Sequence, residues 1–143
     1  MKTILVLGAG RSSSSLINYL LTHASSHDWQ IVVGDISAKS ALERIRTSRH
    51  GSAIRFDIRE EANSRANIEA ADVVISLLPA NLHQLVANHC LELKKHFLNA
   101  SYVSDEMNAL HSDALANGLL FLNECGLDPG IDHMSAMQMI DKI

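Results

Sequence analysis

The sequence predicts an α/β fold: a doubly wound parallel sheet of six strands in the order 3-2-1-4-5-6. Three observations predict it. Short, continuous apolar runs alternate with stretches whose apolar residues recur at helical spacing. The runs are continuous rather than alternating, so helices should cover both faces of the sheet. The first run leads directly into Gly8-Ala9-Gly10 at the head of a helical stretch. The doubly wound order explains that turn and a flavodoxin-like order does not. Crossovers between the parallel strands should be right-handed.

The elements follow in order. Thr3–Leu7 reads as the first strand, and Leu16, Ile17, Leu20 and Leu21 mark one face of the helix after it. Gln30–Val33 is the second strand, running out at Gly34-Asp35, and Ala38, Ala41, Leu42 and Ile45 give the second helix its face. Ala53–Phe56 is the third strand, ended by Asp57, and residues 60–70 are polar and helix-prone. Residues 72–78, Asp-Val-Val-Ile-Ser-Leu-Leu, form the strongest strand. Leu82, Leu85, Val86, His89, Cys90 and Leu93 line a long helix that closes on Lys94-Lys95, cations suited to the negative end of the dipole. His96–Asn99 is the fifth strand. Ser104 reads as an N-cap with Asp105 and Glu106 in the first turn, and Gly118 as the stop. Leu119–Leu122 is the sixth strand, and residues 131–143 begin another helix.

Composition narrows the function. A chain of 143 residues, 47% hydrophobic and 20% charged, has the apolar content for one packed core. A net charge of −4 argues against a nucleic-acid footprint, and no apolar run reaches the length of a membrane span. Met1-Lys2 and the apolar run after it lack a small-residue cleavage site, so a strand is read there rather than a signal peptide. Eight scattered histidines make no metal-ligand frame, and no metal is expected. Cys90 and Cys125 have neither redox nor zinc spacing; they read as reduced packing thiols of a cytoplasmic protein.

Gly8-Ala9-Gly10-Arg11-Ser12-Ser13 is a G-x-G-x-x-S turn between strand and helix. The first glycine permits the tight turn, and the second lets a pyrophosphate approach the backbone. The third position, here Ser13, must be small for helix–strand packing, and its hydroxyl then needs a partner. The helix N-terminus offers free N–H groups to the phosphates. This is the Rossmann arrangement for a dinucleotide, with Gly8, Gly10, Arg11, Ser12 and Ser13 as its phosphate loop. Asp35, at the end of the second strand, can accept from the ribose hydroxyls and repel a 2′-phosphate, which favours NAD without excluding NADP. The alternative is that Asp35 caps the helix near Ser37. Arg44 and Arg46 read as too far along that helix to clamp a 2′-phosphate. Asp57 and Ile58 either border an adenine pocket or, for Asp57, cap the next helix. Leu77, Leu78 and Pro79 end the fourth strand at the topological switch point, where ligands bind. Pro79 is equally explained as a strand terminator.

Three strings remain: Ile75 to His83 (I-S-L-L-P-A-N-L-H), Asn99 to Ser104 (N-A-S-Y-V-S), and Asn123 to Met134 (N-E-C-G-L-D-P-G-I-D-H-M). Together they resemble the saccharopine dehydrogenase/saccharopine reductase family. Asn99, Ser12 and Ala80 differ from the residues usual there. The resemblance implies a nicotinamide-dependent oxidoreductase of amino-acid (lysine) metabolism, acting on a CH–NH bond between two amino acids. It implies Ser101, Tyr102 and Asp128 at the substrate end: the first two for a carboxylate, Asp128 for an ammonium group. Tyr102, Asp128 and His133 are candidate proton-transfer groups and none is assigned. Asp132 and His133 can instead cap the helix after them, Glu124 can brace its loop, and Cys125 is read as buried packing.

Members of the family are longer, so the resemblance implies a dinucleotide-binding domain over 1–130. Residues 131–143 would then start the connection to a substrate and dimerisation domain, with a homodimer formed through it. A fragment inactive by itself is the expectation. Other readings are a carboxynorspermidine dehydrogenase-like enzyme, a non-catalytic NAD-sensing regulatory domain, and a degenerate domain that keeps only the fold.

Overall fold

The computed structural model describes residues 1–143. β1 (Lys2–Leu7) is the centre of a six-stranded sheet because its side chains serve two cores. Alternate residues of a strand face opposite ways. Ile4 and Val6 join one cluster; Leu5 and Leu7 join the other. β2 (Trp29–Asp35) pairs along one edge of β1, with Ile4 opposite Ile31, and β4 (Val73–Ser76) along the other, with Ile4 opposite Val73. β3 (Gly51–Arg55), β5 (His96–Asn99) and β6 (Phe121–Leu122) complete the order β3-β2-β1-β4-β5-β6, all parallel. The predicted order is therefore the observed one.

The helices divide between the faces. α1 (Ser14–His27) and α2 (Ala38–Ile45) bury Ile17, Leu20, Ala24, Ala41 and Ile45 against Ile31 and Val33. α3 (Glu61–Glu69), α4 (His83–Glu92) and α5 (Asp105–Ala109) bury Ile68, Val86, Ala87, Cys90 and Met107 against Leu5, Val74 and Phe97. Each large apolar side chain so buried contributes about 1.5–3 kcal/mol. α6 (His111–Ala116) follows α5, and α7 (Ile131–Ile140) buries none of its residues.

Several expectations are corrected. The third strand ends at Arg55, because Phe56 turns into the core while its N–H reaches the Asp35 carbonyl at 2.9 Å. The fourth strand stops at Ser76; the Leu77 N–H makes a last bond to the Leu7 carbonyl, and the chain turns at Pro79. Leu42 and Leu85 are exposed, since the buried stripes run through Ala41 and Ile45 and through His83, Val86, Ala87 and Cys90. A neighbouring residue on a helix points about 100° away from such a stripe. One helix after Ser104 becomes two, α5 and α6, broken where Leu110 packs against the core. Ser104 does cap, its hydroxyl accepting from the Met107 N–H at 3.1 Å.

Candidate functional site

The glycine turn leaves the carboxyl end of β1. Gly8 has φ +105°, and a Cβ there would lie 2.8 Å from the Leu77 carbonyl oxygen, so only glycine lets the turn cross the end of β4. Gly10 has φ −65°, and a Cβ on it would meet no protein atom within 4 Å. Nothing in the protein requires glycine at that position, and its absence of a side chain leaves the backbone open to close approach by a ligand. Ser13 is buried, and its hydroxyl donates to the Gly10 carbonyl at 2.7 Å, which supplies the partner the sequence demanded. Arg11 and Ser12 are exposed in the short 3-10 turn that opens α1; the Ser13 N–H already bonds the Gly10 carbonyl, and the Arg11 and Ser12 N–H groups precede the helical hydrogen bonds. The residues present thus fit a dinucleotide's phosphates.

Asp35 stands at the end of β2 beside this turn. One oxygen accepts from the Ala9 N–H at 2.8 Å and the other from the Ser37 N–H at 2.9 Å. The helix cap is Ser37, which accepts from the Ser40 N–H. The capping alternative for Asp35 is therefore replaced by a bracing contact to the glycine turn. Carboxylate oxygens keep lone pairs for a ribose hydroxyl beyond these bonds. Arg44 is closer to the turn than its sequence position implied, with Nε donating to the Ala9 carbonyl at 3.0 Å. It also lines a polar cleft of about 380 Å³ with Ser14, Asn18 and Arg46. The signal was present: Arg44 lies three residues past buried Ala41, one turn along the same helix.

Asp57 and Ile58 lie after β3. Both oxygens of Asp57 are taken by the Arg59 guanidinium, at 2.9 and 2.7 Å, and that pairing holds its carboxyl down at about 2. It makes no cap for α3, whose N-cap is Glu60. Ile58 is buried in the core, so only its backbone can border a ligand. Leu77 and Leu78 are half-buried and Pro79 is exposed at the switch point, where the Pro79 carbonyl accepts from the Leu82 N–H.

A second group gathers at the same edge, beyond β5 and β6. Tyr102 donates its hydroxyl to Asp128 at 2.6 Å. Ionising Tyr102 would lose that bond to a carboxylate, so its pKa is pushed up to about 12. At neutral pH it is a proton-bearing donor, not a base. The His133 ring meets the Tyr102 ring edge-on, with centroids 6.4 Å apart, and its Nδ1 lies 2.9 Å from Asp132. Neither Asp132 nor His133 caps α7 with its side chain; Asp132 instead accepts from the Gly130 N–H. The loop that carries Asp128 is closed tightly, with the Gly126 N–H bonding the Pro129 carbonyl and the Ile131 N–H bonding Gly126. Gly130 has φ +145°, and a Cβ there would collide with the Gly126 carbonyl; a Cβ on Gly126 would lie 2.9 Å from the Ala100 Cβ, so each glycine of G-L-D-P-G has its own steric reason. Glu124 braces the facing loop by accepting from the Val103 N–H at 3.0 Å. Cys125 is a correction: it is exposed, its thiol donating to the Asn99 carbonyl at 3.0 Å, because the loop leaves the sheet there. Asn99 itself is buried, donating to Asn123 at 2.6 Å and accepting from the Ser101 N–H.

His83 belonged to a recognised string but had no assigned role. It is the first residue of α4, buried, and bonded to Ser76 and Ser101. A histidine at the position of a buried helical stripe was the signal.

No helix is long and apolar enough to cross a membrane. Residues 4–122 match the family model described as the saccharopine dehydrogenase NADP binding domain. The chain is 38% identical to alpha-aminoadipic semialdehyde synthase of Arabidopsis thaliana, aligned over 96% of this chain and 15% of that protein. It is 32% identical to a saccharopine dehydrogenase [NADP(+), L-glutamate-forming] of Pyricularia oryzae, over 99% of this chain and 31% of that one. The solved saccharopine dehydrogenase (L-Glu forming) of Saccharomyces cerevisiae superposes with a TM-score of 0.87 at 29% identity, over all of this chain and 31% of that one. The chain thus spans less than a third of the length of these relatives. The match runs from β1 through β6, across the glycine turn and the edge that carries Tyr102, and on that basis the chain belongs to the saccharopine dehydrogenase NADP-binding-domain family.

Proposed function

We propose that this chain is the nicotinamide-dinucleotide-binding domain of a saccharopine dehydrogenase-like oxidoreductase acting on a CH–NH bond in lysine metabolism. The observation that carries the proposal is a shared edge. The glycine turn, with its open Gly10, and the Tyr102–Asp128 pair both stand at the carboxyl ends of the parallel strands. When bound, the nicotinamide supplies hydride chemistry. The chain's own residues do the rest. The turn from Gly8 to Ser13 holds phosphates, with Leu77, Leu78 and Pro79 walling the cleft. Asp35 accepts from the adenosine ribose, and the backbone near Asp57 and Ile58 borders the adenine. Ser101 donates to a substrate carboxylate, Tyr102 joins it when its one hydroxyl proton turns from Asp128 to the ligand, and Asp128 holds an ammonium group. Residues 131–143 lead toward a further domain that completes the substrate pocket and pairs two subunits. The two free thiols suit a reducing compartment such as the cytoplasm.

NAD is the preferred cofactor, because the Asp35 carboxylate is held beside the turn where a 2′-phosphate would be repelled. NADP is the second reading, favoured by the Arg44 guanidinium on the same Ala9 peptide. Fluorescence titrations with NADH and NADPH separate them. NADH should bind at least about tenfold more tightly, and Asp35→Ala should erase that preference. Tighter NADPH binding, lost in Arg44→Ala, establishes the second reading. A folded chain of native sequence that binds neither contradicts both.

A further inference from the structure

We infer that Ser76 and His83 are a positioning pair that turns the hydroxyl proton of Ser101 outward, making Ser101 a fixed hydrogen-bond donor to a carboxylate of an amino-acid ligand. The inference rests on the reading above that the edge beside Tyr102 receives such a ligand.

The His83 ring bridges two serines at the ends of adjacent strands. Nδ1 lies 2.8 Å from Ser76 Oγ, and Nε2 lies 2.9 Å from Ser101 Oγ. Ser76 is fully buried, and that ring nitrogen is the one hydrogen-bond partner of its hydroxyl. A buried O–H requires an acceptor. Nδ1 must therefore be bare, and the neutral ring carries its proton on Nε2. Nε2–H then donates to Ser101 Oγ. With its oxygen accepting from the ring, Ser101 keeps its own proton for another partner. It lines a small cleft of about 120 Å³, with Ala80, Gln84, Asn99 and Tyr102 around it, room for one carboxylate-sized group.

The opposite tautomer would leave the Ser76 O–H stranded in the core, and protonating the ring would do the same. Burial lowers the His83 pKa, which keeps the ring neutral; it is the one cause, with no contribution from charged groups on β4, β5 or α5. The Ser101 backbone is fixed independently, its N–H donating to Asn99 Oδ1 at 2.8 Å. Backbone and hydroxyl are thus each held by a separate buried side chain.

The test is long-range ¹H–¹⁵N NMR of this chain labelled at histidine, which reads the protonation of each ring nitrogen. The expected result is His83 as the pure Nε2–H tautomer at neutral pH; an Nδ1–H form or a mixture overturns the inference. L-saccharopine is then titrated into the native chain, His83→Gln, which keeps an N–H near the place of Nε2, and His83→Leu, which does not. Native and His83→Gln chains should agree within about threefold, and His83→Leu should bind about tenfold more weakly. Equal affinities in all three overturn the donor role, and where the chain alone does not hold saccharopine the tautomer decides. NADH binding in the same samples keeps the two readings apart. Bound NADH with the wrong tautomer rejects this inference alone; the right tautomer without NADH binding rejects the cofactor reading.

Discussion

Tyr102 and Asp128 show how one contact sets the chemistry of a site. A phenol donating 2.6 Å to a carboxylate gives up that bond on ionising, and its pKa rises to about 12. Replacing Asp128 with asparagine removes the charge and keeps the shape. Asp128→Asn should bring Tyr102 back toward its ordinary value of 10.0, read by ultraviolet tyrosinate titration in a Tyr19→Phe background. An unchanged titration would mean that the pair does not form in solution. At this scale the sequence was readable where a residue type meets a hard steric or chemical demand. Gly8, Ser13 and the Ser104 cap are such positions, and each has the partner or clearance its type requires. Arg44 and His83 were less readable. Their roles depend on which way a helix face turns once the helix is docked, and periodicity alone places that face only approximately.

The elements are short here, and their ends decide the site. The loop from Gly126 to Gly130 is the clearest case, since it returns on itself and presents Asp128 to Tyr102. Gly130→Ala must either leave φ +145° or push the Gly126 carbonyl aside, at a cost of about 1–3 kcal/mol. The expected outcome is a lower melting temperature together with a Tyr102 titration that moves toward 10; a lower melting temperature with Tyr102 still at about 12 would show that Asp128 is held by something else. The string N-E-C-G-L-D-P-G was legible because glycine and proline announce such turns. Strand lengths were less legible. Residues 77 and 78 are as apolar as those before them, yet the ladder stops when the chain turns at Pro79 to begin the 3-10 turn.

For the whole molecule, the strand order and the division of helices between two faces were both readable from alternating apolar runs and one glycine turn. The reason is physical: a six-stranded parallel sheet must be covered on both sides, and right-handed crossovers leave few ways to do it. Folding as a unit also makes stability respond to pH. His83 is buried neutral with a lowered pKa, so the unfolded chain binds the extra proton as pH falls through about 6.5, and stability falls with it until the folded value is reached. The lowered carboxyl of Asp72, held by the Thr3 N–H and Lys2, adds a loss at still lower pH. Thermal melts should give a lower midpoint at pH 5 than at pH 7.5, with a smaller drop in His83→Gln; an equal or higher midpoint at pH 5 contradicts the buried neutral ring.

Dinucleotide binding at the glycine turn is the central claim, and Gly10 tests it most directly. A Cβ at that position meets no protein atom within 4 Å and φ is −65°, so Gly10→Val should keep a cooperative melting transition while its side chain fills the space a pyrophosphate needs. The decisive measurement is a fluorescence titration of both proteins with NADH. The account predicts saturable binding by the native chain and a loss of roughly 100-fold in Gly10→Val. Equal NADH affinity in the two proteins would contradict it.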